Sequence, residues 1–448
     1  MTSDIRRHIG LAAVVALLVA ACSSTAATQA PTTPEPAASG PAASEPAASG
    51  GTGCTEPAPT TIKLGISGPF TGVNALTGEQ IKNGISMAFD AVGWKIGPYT
   101  VEPVYIDDQS DPAKGTQAYE QAASADKIVA GLLGWHSSVA AAQMEVTAKY
   151  KIPHFFALGA ANTIDEKFHG NQEKYGYWTA KGWPTPEKLT IGYVQAIEDA
   201  IAAGSYAPAE KKVALFGEDT DWGRSLAKGL KDQLTKTGWT ILYEDYFAAD
   251  QMDFSALVSR YKADNVPLIA GTTTFPNSLS AFLKAISDSG LKSLVVADGL
   301  GWIGNWYELS GSASDYVVDQ IPQFASDAAK QFAADYEAKY GSKPSPSSAG
   351  LSYDYANFFM KIAETALADS CEITSASLYK VASEKLWTGE LTYTDGIIMS
   401  NYDYASDTVP DPIVGKGHFV FPALQYMGGE STVVWPAEVA TGTLQSKP

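Results

Sequence analysis

Two serines stand where a helix could bind an acid. Ser137 and Ser138 follow Gly134-Trp135-His136 at the predicted start of a helix. A serine here can cap the first backbone N–H groups, and the positive end of the helix dipole attracts a carboxylate. The pair therefore predicts either a carboxylate site or an ordinary helix cap.

Two other polar groups also follow apolar runs. The stretch Leu158-Gly159-Ala160-Ala161-Asn162 offers carbonyls and an amide that can bond an ammonium or a carboxylate. Asp298 directly follows an apolar run at 294–297 and can pair with a cation. Because open α/β sheets bind ligands at the carboxyl ends of their strands, loops of this kind are the predicted ligand-binding loops.

The elements that position these loops alternate between strand and helix. The first series has predicted strands at 62–67, 101–106, 128–133 and 154–157, with helices from 79, from 112 and over 137–150. The second has predicted helices over 186–203, after 223, from 254 and over 279–289, with strands at 212–216, 241–246, 268–270 and 294–297. Further helices are predicted at 327–340, 353–368 and 377–384, and strands at 417–421 and 432–435. Two such series, separated by an irregular stretch at 171–184, predict an α/β fold with two doubly wound parallel sheets.

Composition excludes several classes of protein. The chain has 448 residues and a net charge of −18, which argues against a nucleic-acid partner. Its three cysteines and five histidines contain no zinc-binding spacing, so neither a metal nor a cofactor is expected. No GxSxG motif occurs, and His136 beside Ser137 does not make a catalytic triad, so an enzyme is not expected.

The N-terminus predicts export. Arg6 and Arg7 precede an apolar run at 9–21, which is too short to span a bilayer. The run ends in Val19-Ala20-Ala21-Cys22 and looks like a lipobox, which predicts a signal peptide at 1–21 and a lipid on Cys22. The alternative is an ordinary signal peptide with an incidental cysteine.

The segment 22–61 predicts a disordered tether. Residues 23–60 contain no Ile, Leu, Val, Phe, Met, Lys or Arg, so little of this stretch can be buried. The lipid anchor would then be the only contact with the membrane. Because cysteines outside the cytoplasm can oxidise, Cys54 and Cys371 are predicted to form a disulfide, the alternative being two free thiols.

Several segments together resemble a known family. They are IKLGISGPFTG (62–72), YIDDQSDPAKG (105–115), GWHSS (134–138), ALGAAN (157–162), ALFGEDTDWG (214–223) and VVWPAEVATG (433–442). The chain resembles type I periplasmic binding proteins of the leucine/isoleucine/valine-binding branch. The resemblance implies a monomeric, extracytoplasmic solute-binding component of an ABC importer, which hands its ligand to a permease. It also implies a three-crossover hinge between lobe I, residues 62–181 plus 322–388, and lobe II, residues 182–321 plus 389–438.

The resemblance assigns roles to the candidate residues. Ser138 or Ser137 would bind an α-carboxylate, and the Ala160 carbonyl and Asn162 would hold the ligand backbone. Asp298 would pair with the α-ammonium. Trp222 and Phe275 would lie on the ligand, while Trp135 and His136, with Trp183, would add bulk beside the carboxylate site.

Departures from the family pattern leave the ligand open. Thr77 replaces a usual aromatic residue, Asn162 replaces a threonine, and Asp298 is shorter than the usual glutamate. A branched-chain, apolar or aromatic amino acid, a small aromatic acid and an amide all fit. A ligand-sensing receptor module of the same fold is the alternative function.

Two motifs have competing interpretations. Residues 299–304 match GxGxxG, and Asp319 lies 20 residues after Gly299, as in dinucleotide-binding folds. The alternative is a plain loop after a strand. Asp107, Asp108 and Asp111 suggest calcium, but their spacing is not that of an EF-hand, and helix capping is the favoured interpretation.

Overall fold

A computed structural model describes residues 60–418 and 420–448. The predicted signal peptide, Cys22, the tether and Cys54 fall outside the described residues, so these predictions remain predictions. Within the described part, no helix combines the length and the apolar character needed to cross a membrane.

The first sheet has five strands in the order β2-β3-β1-β4-β5. They are β1 (Thr60–Gly68), β2 (Lys95–Ile96), β3 (Tyr99–Asp107), β4 (Ala130–Leu133) and β5 (His154–Phe155). All pairs are parallel except β2 with β3. In β1 both faces are buried, as parallel sheets require. A Cβ added at Gly65 would lie 2.7 Å from Ile128 Cδ1 and 2.9 Å from Ile106 Cδ1, so these two side chains would have to shift to admit one.

The second sheet has seven strands in the order β12-β11-β10-β9-β8-β6-β7. They are β6 (Lys212–Glu218), β7 (Thr240–Phe247), β8 (Leu268–Thr272), β9 (Leu294–Asp298), β10 (Val317–Gln320), β11 (Ala423–Met427) and β12 (Glu430–Trp435). The five strands from β6 to β10 pair in parallel, and β11 and β12 add an antiparallel edge. The two predicted doubly wound sheets are confirmed.

Helices connect and cover the strands. In the described residues the α-helices are α1 (Ala75–Ala91), α2 (Pro112–Gln121), α3 (Ser137–Tyr150), α4 (Asn162–Gly170), α5 (Gln172–Tyr175), α6 (Pro186–Ala203), α7 (Asp221–Lys236), α8 (Ser255–Ala263), α9 (Pro276–Ser289), α10 (Trp306–Ser310), α11 (Asp327–Tyr340), α12 (Leu351–Ser370) and α13 (Ser375–Val381). In α6, Pro186 starts the helix and Gly204 ends it with φ +74°. Leu189, Tyr193 and Ile197 recur every four residues and form its buried face.

The chain crosses between the two sheets three times. It leaves the first sheet after β5, returns after β10 so that α12 packs against α1, and enters the second sheet again at β11. This connectivity is the predicted three-crossover hinge. The exact lobe boundaries at 181, 321 and 388 remain predictions.

A buried ion cluster joins the first and third crossings. The Lys181 ammonium is fully buried and contacts the carboxylates of both Asp165 and Asp411. Asp411 also accepts from Lys188, with 2.8 Å between Nζ and Oδ2. We call these four residues the hinge ion cluster.

Two expectations about the strands are wrong. No strand covers the described residues of 417–421, because Gly415 and Gly417 have φ of +132° and +84° and turn the chain just before it. The edge strand begins instead at Ala423. The run of strands also does not end at β9, since β10 extends the parallel sheet.

Cys371 lies at the C-terminal end of α12, at φ +62°, and is disulfide-bonded. Its predicted partner, Cys54, lies outside the described residues. The Cys54–Cys371 pairing therefore stays a prediction.

Candidate functional site

Four tryptophans meet between the lobes. Trp302 lies at the centre, with its ring centroid 5.1 Å from that of Trp135, 6.0 Å from Trp183 and 6.2 Å from Trp222. Its plane is almost perpendicular to those of Trp135 and Trp183, the edge-to-face geometry that aromatic rings prefer. With Ser137, Leu158 and Gly159 they line a cavity of about 20 Å³, which we call the interlobe cavity.

Most of the indole N–H groups in this cavity are unpaired. Nε1 of Trp135, Trp183 and Trp302 is buried and has no hydrogen-bond partner among the described residues. Trp222 differs, because its Nε1 donates to Thr272 Oγ1 at 3.0 Å. Unpaired buried donors are costly and require an explanation. Here they mark the cavity as a place where an acceptor could bind.

The start of α3 borders the cavity, but its expected serine cap is wrong. His136 occupies the cap position, and its side chain makes no capping hydrogen bond. Ser137 Oγ instead accepts from the backbone N–H groups of Ala160 and Ala161, each at 3.0 Å. The serine is thus used to hold the loop after β5 against the helix.

Ser138 lies at the contact between the lobes. Its Oγ accepts from the backbone N–H of Asp221 at 3.5 Å, where α7 begins in the second lobe. A movement of the lobes would therefore change the surroundings of Ser138.

His136 makes a second contact between the lobes. Its ring stacks on Phe275, with centroids 5.3 Å apart, and Nδ1 lies 3.3 Å from Thr274 Oγ1. Nε2 lies 3.3 Å from Asn74 Nδ2 and 3.0 Å from Ser110 Oγ in the first lobe. Burial lowers the pKa of His136 from 6.5 to about 3, so the ring is neutral in this contact.

This burial predicts that acid separates the lobes. Between pH 6.5 and 3, exposed His136 binds a proton that the buried ring does not, so the contact weakens as the pH falls. At pH 5 the free energy that stabilises this contact between the lobes should be lower by up to about 2 kcal/mol. Small-angle X-ray scattering should show a larger radius of gyration at pH 5 than at pH 7.5.

Two variants separate the possible sources of this effect. His136→Gln should remove the expansion because it removes the imidazole, whereas an effect that came from the buried acids Asp108 and Glu218, whose pKa values burial raises, would persist in this variant. His154 also has a pKa lowered to about 3, but it packs between Tyr119 and Trp178 inside the first lobe. His154→Gln should therefore keep the expansion, and an identical expansion in His136→Gln would contradict the assignment.

Asp298 lies at the end of β9 behind the cavity. Its Oδ1 accepts from the Tyr193 hydroxyl at 2.7 Å, and its Oδ2 from Thr272 Oγ1 at 3.2 Å. Burial and the nearby Asp319 raise the pKa of Asp298 well above its usual range. The carboxyl group is fully buried and does not line the cavity. Its pairing with a ligand ammonium stays a prediction.

The lobe I residues Ala160 and Asn162 are also not among the residues that line the cavity. Ala160 is fully buried. Asn162 Nδ2 donates to Glu187 at 3.2 Å, while its Oδ1 is buried and has no hydrogen-bond partner within residues 60–418 and 420–448. Both remain predicted ligand contacts.

Of the predicted residues, Trp135, Ser137 and Trp222 meet in the interlobe cavity, with His136 and Phe275 stacked at the lobe contact beside it. Trp183, predicted only as further bulk beside the carboxylate site, also lines the cavity, and Trp302, at its centre, is absent from the predicted set. Trp302 could have been found as the one aromatic side chain in the glycine-rich loop that follows β9.

The glycine-rich loop at 299–304, which follows β9, has a structural role that accounts for its GxGxxG pattern. Gly299 and Gly301 donate their backbone N–H groups to the Asp319 carboxylate at 3.1 and 2.8 Å. The amides that would bind a phosphate in a dinucleotide fold are thus occupied by an acid of this chain. A Cβ on Gly301 would lie 2.2 Å from the Tyr426 hydroxyl. The contacts therefore favour the plain-loop interpretation over the dinucleotide-binding one, and the loop positions Trp302.

The acidic run before α2 caps that helix. Asp111 accepts from the N–H groups of Ala113 and Lys114 at 2.8 and 2.9 Å, which confirms capping. Within residues 60–418 and 420–448, no group of three or more His, Cys, Asp or Glu side chains could hold a metal ion.

Comparisons with known proteins agree with this architecture. A family model described as periplasmic binding protein matches residues 61–402. Leu/Ile/Val-binding protein homolog 8 from Brucella abortus (strain 2308) is 26% identical over 302 residues, which cover 63% of this chain and 71% of the relative.

Solved structures share the fold. A branched-chain amino acid transporter substrate-binding protein from Streptococcus pneumoniae, in complex with isoleucine, has 18% identity and a TM-score of 0.66, covering 84% of this chain and 100% of that one. A solute-binding protein of an ABC transporter from Rhodopseudomonas palustris, in complex with benzoate, has 16% identity and a TM-score of 0.67, covering 84% and 95%. With its two α/β sheets and three crossings, the chain therefore belongs to the periplasmic binding proteins of type I, in the leucine/isoleucine/valine-binding branch.

Proposed function

We propose that the protein is the extracytoplasmic solute-binding component of an ABC importer. It would bind a small organic acid in the interlobe cavity and deliver it to a permease. The observation that carries the proposal is the convergence of four tryptophans and the start of α3 on one cavity between two hinged lobes. Family members of this kind bind solutes and are not enzymes.

The position of the cavity supports a link between binding and lobe movement. Trp135 contacts Trp302 across the cleft, His136 contacts Phe275, and Ser138 contacts Asp221. A ligand among these residues would touch both lobes. Its binding energy would therefore favour one arrangement of the lobes over another.

The size of the cavity indicates how a ligand enters. A volume of about 20 Å³ holds little more than one water molecule. An organic acid would need the indole rings to swing aside or the lobes to part. Aromatic walls favour a ligand with an apolar or aromatic body, as in the isoleucine and benzoate complexes of the two structural relatives.

Attachment to the membrane is part of the proposal. A lipid on Cys22, with the tether at 22–61, would keep a monomeric body close to its permease. The alternative is a ligand-sensing receptor module of the same fold, which would bind the same ligand without a permease.

A thermal-shift screen tests the proposed function. The panel holds the twenty amino acids, simple aromatic acids and small amides, with glucose and a nicotinamide dinucleotide as controls. A ligand at a hundredfold excess over its Kd should stabilise the folded state by about 2.7 kcal/mol. A flat response to all the acids and amides, or a response to the dinucleotide, would contradict the proposal.

A further inference from the structure

We infer that the ligand of the interlobe cavity is a carboxylate that carries no α-amino group. The inference rests on the proposed function and narrows its ligand class. It depends on the hydrogen-bonding groups that the residues lining the cavity carry.

The tryptophan side chains can only donate. Trp135, Trp183 and Trp302 are 6%, 2% and 4% exposed, and the Nε1 of each has no hydrogen-bond partner in the part of the chain that the structure describes. An indole nitrogen carries a hydrogen and no free lone pair, so it cannot accept a hydrogen bond. Three side chains that line one cavity thus each carry an unmet donor, which favours a ligand group with several acceptor sites, and a carboxylate has about four.

Ser137 adds a fourth donor. Its Oγ already accepts from two backbone N–H groups, of Ala160 and Ala161. A hydroxyl has two acceptor sites and one donor, so its remaining capacity is the O–H. The first turn of α3 starts at the same residue without a side-chain cap, which adds the positive end of a helix of 14 residues.

No carboxylate among the described residues lines this cavity. Three buried acids of the second lobe bond to groups of the protein itself. Asp298 accepts from Tyr193 and Thr272, Glu218 from Thr220, Thr273 and Thr274, and Asp319 from Gly299, Gly301 and Tyr426.

An α-ammonium would therefore find no anionic partner among the residues that line the cavity, and only backbone carbonyls such as those of Leu158 and Gly159 could accept from it. A buried charge without a partner is strongly unfavourable. Its repulsion by the positive helix end would add to this cost. The same surroundings stabilise a carboxylate, so an acid without the amine should bind better than the matching amino acid.

Matched ligand pairs test this directly on the full mature chain. Isothermal titration would compare 3-phenylpropanoate with L-phenylalanine, and 4-methylpentanoate with L-leucine, with benzoate as a third acid and 2-phenylethylamine as a cationic probe. We expect at least one acid to bind at least tenfold more tightly than its amino acid, and the amine not to bind. An amino acid that binds as tightly as its matched acid would overturn the inference and leave the proposed function standing. Absence of binding by every compound would overturn both.

A pair of variants tests the donors. Trp183→Phe keeps an aromatic ring and removes one N–H, and should weaken acid binding about three- to tenfold. Trp178→Phe is the matched control, because Trp178 Nε1 is also buried and unpaired but the ring stacks on His154 outside the cavity. Equal affinities of both variants and the unmodified protein would overturn the donor argument. Thermal midpoints would verify that both variants fold.

Discussion

Replacement of Lys181 by methionine is expected to lower the free energy of unfolding by about 3–5 kcal/mol. The Lys181 ammonium is fully buried between Asp165 and Asp411, and both carboxylates are at least four-fifths buried. Attraction to these two acids keeps the pKa of Lys181 raised despite its burial. Methionine fills a similar volume but leaves two buried carboxylates without their shared cation.

Lys188→Met is the matched control. Lys188 contacts the same Asp411 but is 34% exposed, and Asp411 would retain Lys181. Its loss should cost about 1 kcal/mol, as for partly exposed pairs. Urea unfolding of both variants gives the comparison. Equal losses would show that Lys181 is not the central charge of the hinge ion cluster.

Asp319→Ala should cost about 3–5 kcal/mol and should also disturb Trp302. The carboxylate accepts from Gly299, Gly301 and Gln320 backbone N–H groups and from the Tyr426 hydroxyl. Each donor left buried and unpaired costs about 1–3 kcal/mol, partly relieved by local rearrangement. Because the glycine loop carries Trp302, near-UV circular dichroism in the tryptophan region should weaken together with stability.

Asp354→Ala is the control that separates the loss of stability from the change in the tryptophan signal. Asp354 is an equally buried carboxylate that accepts from the N–H groups of Ile397 and Ile398 and from the Tyr402 hydroxyl. It lies in the first turn of α12, and none of its hydrogen-bond partners among the described residues is one of the four cavity tryptophans. We expect a similar loss of stability with an unchanged tryptophan signal. If both variants change that signal equally, Asp319 has no specific role in positioning Trp302.

Local signals in the sequence were sufficient for much of the fold. The ends of α3, α6 and α11 follow the prediction to the residue, and Gly204 and Gly341 end the latter two in the left-handed conformation. The four-residue strand β10 is too short to give a periodic pattern, and it follows irregular turns. Its place depends on pairing with β9 and β11, which no local pattern encodes.

The candidate site was predictable only where residues directly follow strands or start helices. Trp135 and Ser137 follow β4, and Trp222 lies at the start of α7 after β6, so a sheet-edge argument places each at the carboxyl edge of its own sheet. Trp183 lies in the first crossing between the lobes, and Trp302 lies in the loop after β9 in the second lobe. Their contact with each other and with Trp135 depends on how the two lobes pack, which local sequence patterns do not show. The burial of Asp298 was also hidden, because its partner Tyr193 lies on a helix 105 residues away in the sequence.

The hinge ion cluster has a consequence for a protein that works outside the cytoplasm, where the cell does not set the salt concentration. Dissolved ions screen exposed pairs such as Arg224–Asp219, whose side chains are more than half exposed. They have little access to Lys181, Asp165 and Asp411, whose attraction acts through the protein interior. Salt should therefore screen the buried charges of the hinge ion cluster only weakly. The hinge should keep the same geometry at low and at high ionic strength.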